Sequence, residues 1–193
     1  MKDITKKEME LILTIFKNPT DDFNANNISL KIGVTPMGAL KIMKRLEKQG
    51  ILTSKKIGKA VFYKINLDKD YVADYLIFLL KREAELSSPY IKRWINEARR
   101  INNADIAILF GSALKKDSEA KDIDILVVTD QKRFKKAKGE IDDINKINEP
   151  KLHAVYQTLN DLKDNIKRKD VVVLNALKGV AAVGYRDLIK ILK

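Results

Sequence analysis

The feature that most constrains this chain is a pair of apolar runs framing a glycine-serine turn and two closely spaced acids. Ile106-Ala107-Ile108-Leu109-Phe110 leads into Gly111-Ser112; after nine intervening residues comes Asp122-Ile123-Asp124-Ile125, and the stretch from Ile123 to Val128 is interrupted only by Asp124. Short apolar runs of this kind read as buried strands. A strand ending at Phe110 delivers Gly111 into a tight turn, where the absent side chain lets the backbone approach an anion. Ser112 then stands at the head of an expected short helix, whose free N–H groups, with the hydroxyl, suit anionic oxygens. Asp122 and Asp124 are two apart, so both point to one face of their strand and Ile123 points to the other. Two carboxylates on one face make a hard oxygen site for a divalent cation.

An apolar residue, Gly, Ser, a spacer of this length, then Asp, an apolar residue, Asp and another apolar residue, with a strand on each side, resembles the signature of the nucleotidyltransferase superfamily. That superfamily contains DNA polymerase beta and kanamycin nucleotidyltransferase. The resemblance implies a mixed sheet with flanking helices, phosphate binding at Gly111 and Ser112, and Mg²⁺ or Mn²⁺ held by Asp122 and Asp124. It also implies a nucleoside triphosphate as ligand or substrate. Active members use a third carboxylate on a later strand. The matching strand here is Leu152 to Tyr156, after a helix expected over about Gln131 to Ile147, and His153 holds the position. Neutral imidazole is a poor Mg²⁺ ligand and adds no negative charge. Three roles stay open for His153: a strand residue with a satisfied hydrogen bond, a contact to nucleotide or effector, or a substituted general base.

The first third of the chain reads differently. Met9, Ile12, Leu13 and Phe16 recur at helical spacing behind a Thr5/Glu8 capping box; Ala25 to Ile32 ends at Gly33; and Thr35-Pro36 opens a third helix that runs to about Gln49. Two strand-like runs follow, Ile51 to Ser54 and Ala60 to Ile65, with Lys55-Lys56-Ile57-Gly58-Lys59 as an expected hairpin tip. From Val34-Thr35 through Lys44-Arg45-Leu46 to Tyr63, the order of elements resembles winged helix-turn-helix domains of the MarR and ArsR types. The resemblance implies double-stranded DNA as partner. Ala39, Met43 and Leu46 would face the core, leaving Thr35, Met37, Lys41, Lys44 and Arg45 toward DNA, with Lys55, Lys56 and Lys59 on phosphates. Between Lys31 and Lys59 there are eight basic residues against one acid, Glu47, within a chain of net charge +12. Such a local excess is a candidate nucleic-acid footprint.

Apolar stripes over Tyr71 to Leu86 and, from Pro89, along Tyr90, Ile91, Trp94, Ile95 and Ala98 predict two connector helices. Homodimerisation is expected through this region, with Trp94 between the domains. One helix is expected over Asp161 to Leu177, a last short strand over Gly179 to Tyr185, and a closing helix from Arg186. The fold class expected is therefore α+β, with a winged helix at 1–68, connector or dimerisation helices at 69–103 and a nucleotidyltransferase-like domain at 104–193.

The composition removes several alternatives. With no cysteine and one histidine among 193 residues, disulfides, thiolate sites and the usual zinc sites are excluded. No run of about 18 apolar residues occurs and no apolar stretch follows the N-terminal charges, which predicts a cytoplasmic protein without a membrane span or signal peptide. Three functions remain: a DNA-binding regulator with a nucleotide- and Mg²⁺-binding domain, a metal-dependent enzyme transferring NMP to a protein or small-molecule hydroxyl, or an antitoxin-like protein that nucleotidylates a toxin.

Overall fold

A computed structural model describes residues 4–193. The chain divides into two compact units, Met1–Leu79 and Leu80–Lys193.

In the first unit, α1 (Lys6–Lys17) opens with the expected capping box: the Glu8 N–H donates to Thr5 Oγ1 at 3.3 Å, and the Thr5 N–H donates to Glu8 Oε2 at 2.8 Å. Two of the four orphan donors of the first turn are thereby satisfied. α2 (Ala25–Ile32) is capped by Asn24, and α3 (Pro36–Lys48) begins where Thr35 Oγ1 accepts the Gly38 N–H at 3.1 Å. Ala39, Met43 and Leu46 form the buried face of α3, as their spacing predicts. Strands β1 (Leu52–Ile57) and β2 (Ala60–Ile65) pair antiparallel from Leu52↔Ile65 to Ile57↔Ala60. The turn is shorter than expected. Lys55 and Lys56 lie inside β1, in register with Phe62 and Val61, because Gly58 at φ +59° allows the chain to reverse with only Lys59 beside it. Just before α2, Phe23 forms an antiparallel bridge to Tyr63, whose N–H donates to the Phe23 carbonyl at 2.7 Å. Phe23, Leu52 and Tyr63 are buried. Three helices and a hairpin thus pack together, and helix α4 (Asp70–Leu86) follows, with Val72, Leu76 and Leu79 buried.

The second unit is built on a four-stranded mixed sheet in the order β5-β4-β3-β6. Strands β3 (Ile106–Phe110) and β4 (Asp122–Val128) are antiparallel, β5 (Lys151–Gln157) runs parallel to β4, and β6 (Val180–Val183) runs antiparallel to β3. On one face, Leu109, Ile123, Ile125, Val127 and Leu152 pack with the buried stripes of α5 (Pro89–Ala98) and α7 (Phe134–Ile147). On the other, Ile108, Leu126 and Val128 are equally buried, with α9 (Val171–Leu177) against β3 and β4 and α8 (Leu159–Lys167) against β5. A sheet covered on both faces explains why these strands read as continuous apolar runs. Helix α10 (Tyr185–Leu192) closes the chain.

Two further expectations change. Trp94, fully buried, packs with Ile91, Ile95 and Ala98 inside the second unit's core instead of between domains, so α5 is a core helix of that unit. The helix expected over Asp161 to Leu177 is two helices. Lys169 turns to φ +57°, and the Asp170 side chain then caps α9 by accepting the Val173 N–H at 2.9 Å. The helix after Ser112, α6, is short as expected, Ala113–Lys116, and Ser112 makes no side-chain cap bond to it. A four-residue helix has little macrodipole, so any anion affinity at this turn rests on the backbone N–H groups and the hydroxyl.

Candidate nucleotide site

Strand pairing explains why residues far apart in sequence meet. Because β3 and β4 are antiparallel with Phe110 opposite Asp124, the end of β3 meets the beginning of β4. Parallel pairing of β4 with β5 then sets Asp122 beside Lys151 and Asp124 beside His153. Registered neighbours share a face. Asp122, Asp124 and His153 accordingly line one edge of the sheet, while Ile123 and Leu152 point into the core.

Gly111 carries the tightest requirement. Its φ is +82°, and a Cβ built on it would overlap the Asp124 carboxylate, with Asp124 Cγ at 2.9 Å and Asp124 Cβ at 3.2 Å. Only glycine meets both demands. Gly111 and Ser112 are exposed, so the backbone of the turn faces outward beside the two acids.

Electrostatically, Asp124 is the perturbed member of the pair. Burial raises the Asp124 carboxyl above its ordinary range, the Asp122 charge raises it further, and His153 works in the opposite direction. His153 Nδ1 lies 3.4 Å from Asp122 Oδ2, with its side chain 61% exposed. Lys151 stands opposite Asp122 in register, but its ammonium is engaged elsewhere: by Glu149 Oε1 at 2.8 Å, by the Asn148 carbonyl at 3.1 Å and by the Asn145 carbonyl. The other two acids close in sequence to His153 are likewise committed. Glu149 holds Lys151, and the Asp161 carboxylate accepts from the N–H and the hydroxyl of Thr158, the N-cap of α8. Among the described residues no group of three or more His, Cys, Asp or Glu side chains converges as a cation cage. A cavity of about 240 Å³ at the far ends of β4 and β5, lined by Thr129, Phe134, Tyr156 and Asp161 among others, is separate from Asp122 and Asp124.

In the first unit, Thr35, Met37, Lys41, Lys44, Arg45, Lys55, Lys56 and Lys59 are all exposed. Met37, Lys41 and Lys44 follow the helical repeat and share one face of α3. Among the described residues no carboxylate engages Lys41, Lys44, Lys55, Lys56 or Lys59. Arg45 differs: it pairs with Glu8, a buried carboxylate of α1. Thr35 spends its hydroxyl oxygen on the α3 cap.

Sequence reading passed over two residues, Asp117 in the connection between the turn and the acids and Ser88 at the head of α5. Asp117 has φ 47° and ψ −126°, and its carboxylate accepts a hydrogen bond from Ser88 at 2.5 Å. A non-glycine residue in this conformation leaves no signal in the sequence.

Comparison with known families bears on the second unit. Residues 91–177 match the family model of the nucleotidyltransferase domain, a span that contains Gly111, Ser112, Asp122, Asp124 and His153. The match supports a nucleotidyltransferase-type function for this part of the chain. No curated protein and no solved structure matches. No helix among the described residues is long and apolar enough to cross a membrane.

Proposed function

We propose that the chain is a DNA-binding regulator whose second unit binds a nucleoside triphosphate together with Mg²⁺ at Gly111, Ser112, Asp122 and Asp124. The observation that carries the nucleotide half is the packing of the Gly111 backbone against the Asp124 carboxylate, which leaves an exposed, side-chain-free turn beside two acids. The N–H groups and the Ser112 hydroxyl would hold phosphate oxygens. Two aspartates fit Mg²⁺, which takes one or two protein carboxylates and completes its shell with water and nucleotide phosphates. Burial first and the Asp122 charge second raise the Asp124 carboxyl, and a bound cation would offset both. When bound, Mg²⁺ supplies neutralisation of phosphate charge. Calorimetry of ATP with and without Mg²⁺ tests this half.

The DNA half rests on the first unit: three helices, a hairpin, a bridge from Phe23 to the hairpin, and exposed lysines that no carboxylate among the described residues engages. In a winged helix so arranged, the N-terminal part of α3 enters the major groove. Met37 can contact a thymine methyl and Lys41 a guanine edge, while Lys55, Lys56 and Lys59 hold phosphates. Arg45 contributes through Glu8, by fixing α3 on α1.

A second reading, active transfer of NMP, is favoured by one observation. His153 Nδ1 is 3.4 Å from Asp122 and its ring is mostly exposed, so a substrate hydroxyl can reach it. In that reaction the hydroxyl oxygen attacks the α-phosphorus, the α–β anhydride bond breaks, pyrophosphate leaves and the hydroxyl proton passes to His153. Labelled nucleotides with Mg²⁺ or Mn²⁺, and a His153→Asp variant, separate the readings. Pyrophosphate release by the parent chain, lost in His153→Ala, establishes the enzyme; release by His153→Asp alone establishes a nucleotide sensor.

A further inference from the structure

The connection from Gly111 to Asp122 bears the turn at one end and the first acid at the other, and its backbone is strained in the middle. Asp117, the residue that ends α6, sits at φ 47° and ψ −126°. That is outside the left-handed helical well, where ψ is positive and where Asp and Asn are tolerated. Backbone in such a region persists only where the surroundings over-determine it. Here the over-determining contact is a hydrogen bond across 29 residues, from Ser88 Oγ to Asp117 Oδ1 at 2.5 Å. Ser88 is itself fixed, because the same hydroxyl oxygen accepts the Ile91 N–H at 3.2 Å and so caps α5. α5 in turn buries Ile91, Trp94, Ile95 and Ala98. The two ends of the connection are held by apolar contact, since Ala113 and Ala120 pack into the same core. Between them the Asp117 carboxylate makes the polar tie. A hydroxyl that accepts from a backbone N–H while donating to a carboxylate is polarised in one direction, and each bond strengthens the other.

We infer that Ser88 and Asp117 form a clasp that holds the Gly111-Ser112 turn and Asp122 in register for phosphate, making both of them positioning residues of the nucleotide site. The inference rests on the nucleotide reading for its purpose, though not for its geometry. The strain is the distinguishing mark. If Asp117 served stability alone, a glycine there would relieve the backbone and improve the protein. As half of a clasp, Asp117 cannot be replaced by glycine without loosening the connection, whatever the backbone gains.

The test uses the full chain and four variants, Ser88→Ala, Ser88→Thr, Asp117→Gly and Asp117→Asn. Three readouts are taken: amide hydrogen exchange over residues 111–121 without nucleotide, melting temperature, and MgATP calorimetry. Ser88→Ala and Asp117→Gly are expected to exchange faster over this segment. Loss of a hydrogen bond to a charged group corresponds to roughly tenfold weaker MgATP binding. Ser88→Ala also loses a helix cap and melts lower. Asp117→Gly melts no lower than the parent, so weaker binding there is not a consequence of instability. Ser88→Thr and Asp117→Asn keep the bond and retain parental exchange and affinity. Unchanged exchange and affinity in Asp117→Gly overturn the clasp, as does a loss of affinity that only tracks a lower melting temperature. If the parent fails to bind MgATP, the nucleotide reading falls, and exchange over 111–121 still decides the clasp.

Discussion

Gly111 and Asp124 are packed so closely that the carboxylate of one occupies the space where a side chain on the other would begin. Any substitution at 111 must therefore displace an acid of the site as well as adopt an unfavourable φ. Gly111→Ala is expected to cost about 1–3 kcal/mol for the backbone alone, with more for the overlap, and to abolish MgATP binding. Thermal melts and calorimetry on the same sample check both. A variant as stable as the parent would show that the turn is not held as described.

The raised Asp124 carboxyl makes stability depend on pH with a definite sign. Folding raises the Asp124 carboxyl, by burial first and by the Asp122 charge second. Its contribution is fully favourable below the ordinary carboxyl value near 3.8 and is lost as pH rises through the raised value. Asp124→Asn removes that loss. The variant should melt higher than the parent at neutral pH in the presence of a chelator, and the difference should shrink as pH falls toward 4. A variant that melts lower at neutral pH would contradict this assignment.

For the first unit, replacing Lys41, Lys44, Lys55 and Lys56 by Ala should weaken duplex binding and flatten its salt dependence, each lost phosphate contact removing about 0.9 from the log–log slope. Met37→Ala should instead change sequence preference with little change in slope. Fluorescence anisotropy across a salt series separates the two. An unchanged slope in the quadruple variant would remove DNA from the account.

How far these features could be read from the sequence depends on their physical origin. Glycine, proline and capping residues act locally, which is why Thr5, Thr35, Pro36 and Gly33 mark helix ends where the structure has them. The sheet was legible for a related reason: strands covered on both faces leave uninterrupted apolar runs at Ile106–Phe110 and after Asp124. Three things were not legible. The break at Lys169 comes from a non-glycine residue at positive φ, where neither its identity nor its neighbours announce it. Arg45 has the exposure and position of a DNA contact, yet its partner Glu8 is on another helix, and only folding brings the two together. Trp94 follows a helical stripe that suits a domain boundary or a core equally well; the tertiary partners of α5 decide for the core. The site divides along the same line. Gly111, Ser112, Asp122 and Asp124 are marked by residue type and spacing, whereas the engagement of Lys151 by Glu149 and the Ser88–Asp117 bond are long-range or conformational facts.

The central claim, that Asp122 and Asp124 hold a cation which in turn holds a nucleotide at the Gly111-Ser112 turn, is tested most directly by calorimetry of ATP. The parent chain and the Asp122→Ala/Asp124→Ala variant are each titrated with and without Mg²⁺. Saturable binding is expected for the parent only when Mg²⁺ is present, and none for the variant under either condition. Equal binding by parent and variant, or binding by the parent that is indifferent to Mg²⁺, would contradict it.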